Sequence, residues 1–150
     1  MAKLRTRIMI LVLLYGTGTV GCMAQGAPAG PLRAAELLSL VAGHALPENV
    51  VRELAIAGLS FRPDSPYRAL LKTAGADPKI LAALDAAKVF VERNPEADAG
   101  KDVLQHLANA GNFLNADRYD DATRELTAAV TSDPGSPECA FVMGQVLRKE

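Results

Sequence analysis

The chain has 150 residues, of which 49% are hydrophobic but only 5% aromatic, and this length allows one domain or two small helical modules that share a core. Its apolar residues are mainly Ala, Leu and Val, which favours helix packing over a β-sheet. The 16 Lys and Arg residues are balanced by 17 Asp and Glu residues, a formal net charge of -1, so nucleic-acid binding is disfavoured.

The N-terminus has the order of a secretory signal. Lys3, Arg5 and Arg7 precede the apolar run 8–15, and small residues follow it. The run is shorter than the roughly 20 apolar residues that span a bilayer. We therefore expect residues 1–24 to be a signal peptide that exports the chain; the alternatives are a buried core helix and an uncleaved anchor.

Two processing sites are open at the end of this signal. Residues 22–24 form a small-x-small site, whose cleavage would release a mature chain from Gln25. Alternatively, residues 19–22 (Thr-Val-Gly-Cys) resemble a bacterial lipobox, in which Cys22 would carry a lipid. Cys139 is the only other cysteine, so no disulfide framework is expected, and we expect Cys139 to be packed in a helix.

A Gly/Pro/Ala linker, residues 25–31, precedes four segments in which apolar residues recur at helical spacing. These segments predict a four-helix module of two hairpins over residues 32–93. Their apolar faces are Ala34, Leu37, Leu38 and Val41; Val50, Leu54 and Ala57; Tyr67, Leu70, Leu71 and Ala74; and Ile80, Ala83, Leu84, Ala87 and Val91.

Glycine and proline mark the ends of these helices. The first three close at Gly43, Gly58 and Gly75, and we expect Gly43 to take the left-handed conformation of a C-cap. Prolines at positions 47, 66 and 78 stand where the first turn of the next helix accepts a residue without an N–H. A Leu-Leu, Ala-Gly, Pro order occurs twice, so the two hairpins are rough copies of each other.

The last third of the chain repeats itself at one fixed spacing. The pairs at this spacing are His106 and Ala140, Asn109 and Met143, Ala110 and Gly144, and Phe113 and Leu147. Between them, residues 119–134 read Tyr-Asp-x-Ala-x3-Leu-x2-Ala-x4-Pro. This predicts a helix over residues 119–131 that lies antiparallel to its predecessor, with Asp133-Pro134 ending the hairpin and Pro137 beginning the next helix.

This pattern resembles the tetratricopeptide repeat, a helix–turn–helix unit whose period of about 34 residues equals the spacing of the pairs. The resemblance covers about residues 103–150 and implies an all-α fold of hairpins stacked as a short solenoid. One complete repeat and a terminal helix would occupy residues 102–150. Small residues at Ala110 and Gly144 should let neighbouring hairpins approach closely. Residues 32–93 are similar to helical segments of exported bacterial proteins.

Two departures from the family pattern affect what the resemblance implies. His106 and Asn109 stand where large apolar residues are usual, so we expect this helix to be less buried or to pack differently. About three repeats are normally needed for a stable array. Either residues 32–93 cap the short array, or the chain is part of a longer protein.

The sequence predicts no catalytic residue, metal site or cofactor. His44 and His106 are the only histidines and lie far apart in the sequence, without cysteines at zinc-ligand spacing. The acidic residues Asp117, Asp120, Asp121 and Glu125 lack the spacing of a calcium loop, so we expect them to interact with a helix dipole.

The resemblance implies that a partner would bind the inner surface of the array, which is lined by the first helix of each hairpin. The predicted partner-binding residues are Leu104, Leu107, Gly111, Leu114, Asn115, Glu138, Phe141, Gln145 and Arg148. Such an apolar groove would suit a helix or an extended peptide. Alternatively, Leu104 and Leu107 are covered by the helix that ends near Arg93.

Together these expectations describe a non-enzymatic interaction or scaffold protein of the bacterial cell envelope. Its partner would be a protein or peptide, without nucleic acid, and with membrane contact only through the signal or a lipid at Cys22. The alternative is a fragment or a regulatory or assembly domain of a larger exported tetratricopeptide-repeat protein or lipoprotein.

Overall fold

The computed structural model describes residues 30–90 and 100–149. Within these residues the chain forms seven α-helices and no strand beyond isolated bridges. The helices are α1 (Ala34–Ala42), α2 (Pro47–Ala57), α3 (Ser65–Thr73), α4 (Pro78–Ala86), α5 (Lys101–Asn115), α6 (Tyr119–Ser132) and α7 (Pro137–Lys149). The all-α fold class is therefore confirmed for this part of the chain.

The predictions for the N-terminal signal and for Cys22 lie outside the described residues. Among the helices that are described, none has the length and apolar character needed to cross a membrane.

Helix starts follow the predicted prolines, and aspartates cap two of the helices. Asp64 accepts a hydrogen bond from the Tyr67 backbone N–H at 2.8 Å, and Asp77 accepts one from the Lys79 N–H at 2.7 Å. Each aspartate thus satisfies one amide that the first helical turn leaves without a partner. Proline is the first residue of α2 and of α4 and the second residue of α3.

The left-handed cap of α1 is at His44, not at Gly43 as expected. His44 has φ 57°, whereas Gly43 has φ -82°. The Ala45 N–H donates to Leu40 O at 2.9 Å, and the His44 N–H donates to Val41 O at 3.0 Å, as in a Schellman motif. Gly43 instead makes room for α7: a Cβ there would lie 2.5 Å from the Phe141 ring, which would have to shift.

The fourth helix is shorter than predicted, because the chain leaves it to pair with an extended segment. α4 ends at Ala86, so Ala87 is not in the helix, and Val91 lies outside the described residues. The Leu59 N–H donates to Lys88 O at 2.8 Å, and the Phe90 N–H donates to Leu59 O at 2.6 Å. Leu59 also forms a parallel bridge to Leu32, so three short segments are joined.

Four helices run parallel through the centre of the fold. Near their N-terminal ends, the Tyr67 hydroxyl of α3 donates to Ala34 O of α1, and Arg33 pairs with Glu138 of α7. Near their C-terminal ends, Gly111 of α5 lies against α1 and α3. α1 packs on α5 and α7, α3 packs on α5, α2 packs on α4, and α6 covers α5 and α7.

A single hydrophobic core draws buried residues from all seven described helices. The predicted 32–93 module and the 102–150 segment therefore pack as one body in this part of the chain. α6 matches its prediction closely, since it spans Tyr119–Ser132 and buries Ala122, Leu126 and Ala129 completely.

Two residues of the repeat have unlike surroundings, contrary to expectation. Ala110 is buried, whereas Gly144 is exposed and a Cβ there would meet no atom within 4 Å. The difference has a simple cause. α6 covers the side of α5 that carries Ala110, and no helix of the described ranges covers the matching side of α7.

Candidate interaction surface

The central residues of the predicted groove are buried within the fold. Leu107 and Leu114 of α5 are fully or almost fully inaccessible. A Cβ on Gly111 would lie 2.9 Å from Ala42 Cα and 3.1 Å from Ala74 Cα, so α1 and α3 lie directly over it. The covering elements are thus α1 and α3, rather than the helix expected to end near Arg93. In this conformation the three residues are not accessible to a partner.

The two ends of the same α5 face are partly accessible. Leu104 is half-buried and lines a mostly apolar groove of about 440 Å³ with Tyr67 and Leu70 of α3. At the other end, Asn115 is exposed, and its side-chain amide donates to Ala74 O at 3.1 Å. Asn115 therefore satisfies a carbonyl at the end of α3, which is a structural role.

The four predicted residues of α7 divide between interior and surface. Glu138 is buried and accepts hydrogen bonds from Arg33 at 2.6 Å and from the Ser136 hydroxyl at 3.0 Å. Phe141 and Arg148 are exposed, and Gln145 is half-buried. Arg148 donates to the Gln145 side-chain oxygen at 2.6 Å. The nine predicted residues therefore do not form one open surface.

A polar contact between α5 and α6 explains the unusual residues of the first repeat. His106 Nδ1 lies 2.8 Å from Glu125 Oε2, and the Asn109 amide donates to the same oxygen at 3.1 Å. Burial acts to raise the pKa of Glu125, but these two hydrogen bonds and the charge interaction with His106 together outweigh it and hold that pKa below its ordinary value. His106 and Asn109 thus join the two helices through Glu125, at positions where the family pattern has large apolar residues.

Acidic residues near the start of α6 and the described cysteine are held by contacts within the fold. Asp121 pairs with Arg118 and Arg124, and the Tyr119 hydroxyl donates to Asp117 at 2.9 Å. In the described ranges, no group of three or more His, Cys, Asp or Glu residues is placed to hold a metal ion. Cys139 is buried as expected, and this burial raises the pKa of its thiol.

Of the three exposed large hydrophobic residues in the described part of the repeat segment, Phe141 and Leu147 are on α7. We call Ala140, Phe141, Gly144, Leu147 and Arg148 the open face of α7, because all five are exposed. Leu147 is 64% exposed and Phe141 is 39% exposed, although both are large and hydrophobic. Helical geometry brings these residues together, since they lie three or four positions apart.

Comparison of the chain with protein-family models, with curated proteins and with solved structures finds no match. The candidate surface therefore rests on the geometry of this chain alone.

Sequence reasoning singled out Phe141 and Arg148 of the open face, but it expected them to line one groove with residues of α5 that are mostly buried. Ala140, Gly144 and Leu147 were recognised as repeat positions, and Gly144 was expected to let neighbouring hairpins approach closely. The signal that identifies them as a surface is the repeat spacing itself, because their counterparts on α5 lie against α6.

Proposed function

We propose that this protein is a non-enzymatic protein-interaction module of the tetratricopeptide type, exported to the bacterial envelope. Export rests on the charge and apolar order of residues 1–20. The interaction role rests on one observation above all, which is the uncovered apolar face of α7.

The open face corresponds to a helix-binding surface within the same chain. Ala140, Gly144 and Leu147 are the repeat counterparts of His106, Ala110 and Phe113, which lie on the side of α5 that holds α6. A helix that packs on this surface as α6 packs on α5 is therefore the kind of occupant that it fits. The absence of a side chain at Gly144 would permit close approach of the two helix axes.

The exposed hydrophobic groups favour an occupant energetically. Complete burial of a leucine side chain contributes roughly 1.5–3 kcal/mol relative to exposure. Leu147 retains most of that contribution for a partner, because it is 64% exposed. The centre of the predicted groove does not compete for this role, since α1 and α3 lie over Gly111.

A photo-crosslinking amino acid at position 147 of the full chain tests the interaction role in the cells that produce it. We expect a discrete protein adduct after irradiation. The same amino acid at Asn112, an exposed position on α5, is the matched control and should give none. No adduct at position 147, or equal adducts at both positions, would exclude this face as the binding surface.

Extension of the repeat by one helix tests the tetratricopeptide geometry separately. Glu150 is the repeat counterpart of Ala116, so a copy of residues 117–134 appended after Glu150 continues the spacing. We expect the added helix to cover Leu147 and to raise the melting temperature. The control carries Glu in place of the copied Ala122 and Ala129, and it should not. An equal melting temperature for both would contradict the geometry.

The second candidate is a regulatory or assembly domain of a larger exported protein. The same open face favours it, since a following helix would cover Gly144 and Leu147. Genomic sequence beyond codon 150 separates the two candidates, because a continuing frame with further repeats supports the larger protein.

A further inference from the structure

The open face of α7 is arranged symmetrically about Gly144. Ala140 and Leu147 lie four residues before and three residues after this glycine, and Phe141 and Arg148 lie three before and four after. At 3.6 residues per turn, Ala140 and Leu147 fall on one side of Gly144, and Phe141 and Arg148 fall on the other. Each side thus carries one residue about one turn before Gly144 and one residue about one turn after it.

This arrangement is complementary to itself when two copies are antiparallel. The two-fold axis passes between Gly144 and its copy, perpendicular to both helix axes. It reverses the direction of the second helix, so that the Ala140 and Leu147 sides of the two copies face each other, as do the Phe141 and Arg148 sides. Leu147 of one copy then lies beside Ala140 of the other, and Arg148 lies beside Phe141. A large apolar side chain meets a small one in the first pair, and a guanidinium meets an aromatic ring in the second.

Two features of the monomer are compatible with this arrangement. Arg148 donates to the Gln145 oxygen at 2.6 Å, which holds the guanidinium over the side of α7 that carries Phe141. A Cβ at Gly144 would meet nothing within 4 Å, so this position of α7 is open to contact. Antiparallel packing also sets the two helix dipoles in opposite directions, which is favourable.

We propose that the occupant of the open face is a second copy of this chain, which packs α7 against α7 antiparallel about a two-fold axis at Gly144. This inference rests on the proposed interaction role of the face and specifies its partner. The contact is isologous, because the same five residues form both halves of it.

The size of the contact sets the expected affinity. α7 has 13 residues, and one face of one such helix buries less than the roughly 1,200–2,000 Å² of a standard interface. We therefore expect a reversible dimer with a dissociation constant on the order of 10–100 µM, as for weak transient complexes.

Sedimentation of the full chain over a wide concentration range tests the proposal. We expect a monomer–dimer equilibrium that Leu147→Glu weakens at least tenfold, because the charge would be buried against Ala140. Ile56→Glu is the matched control: Ile56 is 75% exposed on α2, and its replacement should leave the dimer unchanged. Circular dichroism checks that both variants keep the helical fold. A chain that stays monomeric at about ten times the expected dissociation constant, or a dimer insensitive to Leu147→Glu, overturns the proposal.

A cysteine at the proposed two-fold axis tests the register. In a Cys22→Ser background, Gly144→Cys should form an intermolecular disulfide on mild oxidation, since disulfides require Cα atoms about 4.4–6.8 Å apart. Cys139 is buried and should remain reduced. Asn112→Cys is the control and should crosslink much more slowly. Equal crosslinking of the two variants would contradict the register.

The outcomes separate this proposal from the interaction role on which it rests. If the chain is monomeric and position 147 gives a photo-adduct with a different protein, the proposal of a second copy as partner is overturned. The proposed interaction role of the face then still holds. A monomeric chain with no adduct overturns both.

Discussion

Arg33 and Glu138 join the N-terminal ends of α1 and α7, two helices that are distant in sequence, with Arg33 Nη2 2.6 Å from Glu138 Oε1. The arginine side chain is 43% exposed, whereas the glutamate side chain is only 8% exposed. The pair therefore holds a nearly buried carboxylate at the first turn of α7, where the helix dipole also favours negative charge.

Removal of the arginine should cost more than the loss of a surface ion pair. In Arg33→Met the carboxylate of Glu138 keeps only the hydroxyl of Ser136 as a hydrogen-bond donor among the contacts described. We expect a loss of about 1–3 kcal/mol in the free energy of unfolding, the usual cost of leaving a buried polar group poorly satisfied. Urea unfolding at pH 7 measures it.

The double variant Arg33→Met with Glu138→Met is the control for this explanation. Because no buried charge then remains, part of the lost stability should return. If the loss in the free energy of unfolding of the double variant equalled the sum of the losses of the two single variants, this explanation would be contradicted.

Two helical glycines should respond in opposite ways to the same substitution. Gly111→Ala adds a methyl group 2.9 Å from Ala42 Cα and 3.1 Å from Ala74 Cα, so the backbones of α1 and α3 must move. We expect a loss of about 1–3 kcal/mol, as for other overpacked cores. Gly144→Ala meets no atom within 4 Å, and alanine favours helix by about 0.5–1 kcal/mol.

Thermal unfolding at low protein concentration, where the chain is monomeric, compares the two variants. Gly111→Ala should melt at a lower temperature than the parent, and Gly144→Ala at a higher one. A neutral Gly111→Ala would mean that α1 does not pack directly on α5.

The helix pattern was accessible from sequence because it depends on local chemistry. Prolines in first turns and aspartate caps act within a few residues, so the starts of α3 and α4 were predicted well. Small and large residues at helical spacing also identified the buried side of α6. The cap of α1 was misplaced because the glycine at position 43 serves a distant ring, Phe141, and not its own backbone conformation.

The arrangement of the helices was not accessible in the same way. The contact of α1 with α5 joins Ala42 to Gly111 over a long stretch of sequence, and several apolar helix faces in the chain are equally suitable partners by composition. The predicted groove failed for this reason: Leu107 and Leu114 are core residues, and α1 and α3 lie over Gly111. The open face of α7 became visible only when the repeat positions of α5 and α7 were compared in space.

A buried hydroxyl on α6 offers a route to higher stability. Thr123 Oγ1 is inaccessible to solvent and has no hydrogen-bond partner within the described residues. Thr123→Val keeps the shape and removes the unsatisfied polar atom, so we expect a gain of about 1 kcal/mol in the free energy of unfolding. Thr127→Val is the control, because Thr127 is exposed and its hydroxyl donates to Thr123 O at 2.8 Å. An unfolding midpoint in urea that rises as much for Thr127→Val would point to a general effect of replacing a helical hydroxyl by a methyl group, and not to the unsatisfied atom of Thr123.

Acidification should destabilise the fold through His44. Partial burial of its ring, and then the positive charge of Lys149, hold the pKa of His44 below its ordinary value, against weaker opposing effects of Asn115 and Asp117. The unfolded chain therefore binds a proton at this histidine at a higher pH than the folded chain does. As a result, the free energy of unfolding should fall as the pH drops from 7 through about 6.5 towards 5.

An NMR titration of His44 and urea unfolding at pH 7, 6 and 5 check this expectation. His44→Asn should flatten the dependence, because asparagine tolerates the positive φ of 57° and does not titrate. Lys149→Ala should raise the pKa of His44, since it removes a cation whose Nζ lies 2.9 Å from the ring Nδ1. Glu125 contributes little here, because its pKa lies below its ordinary value and its titration falls under this window. A His44 pKa at or above about 6.5 would show that α7 does not shield the ring.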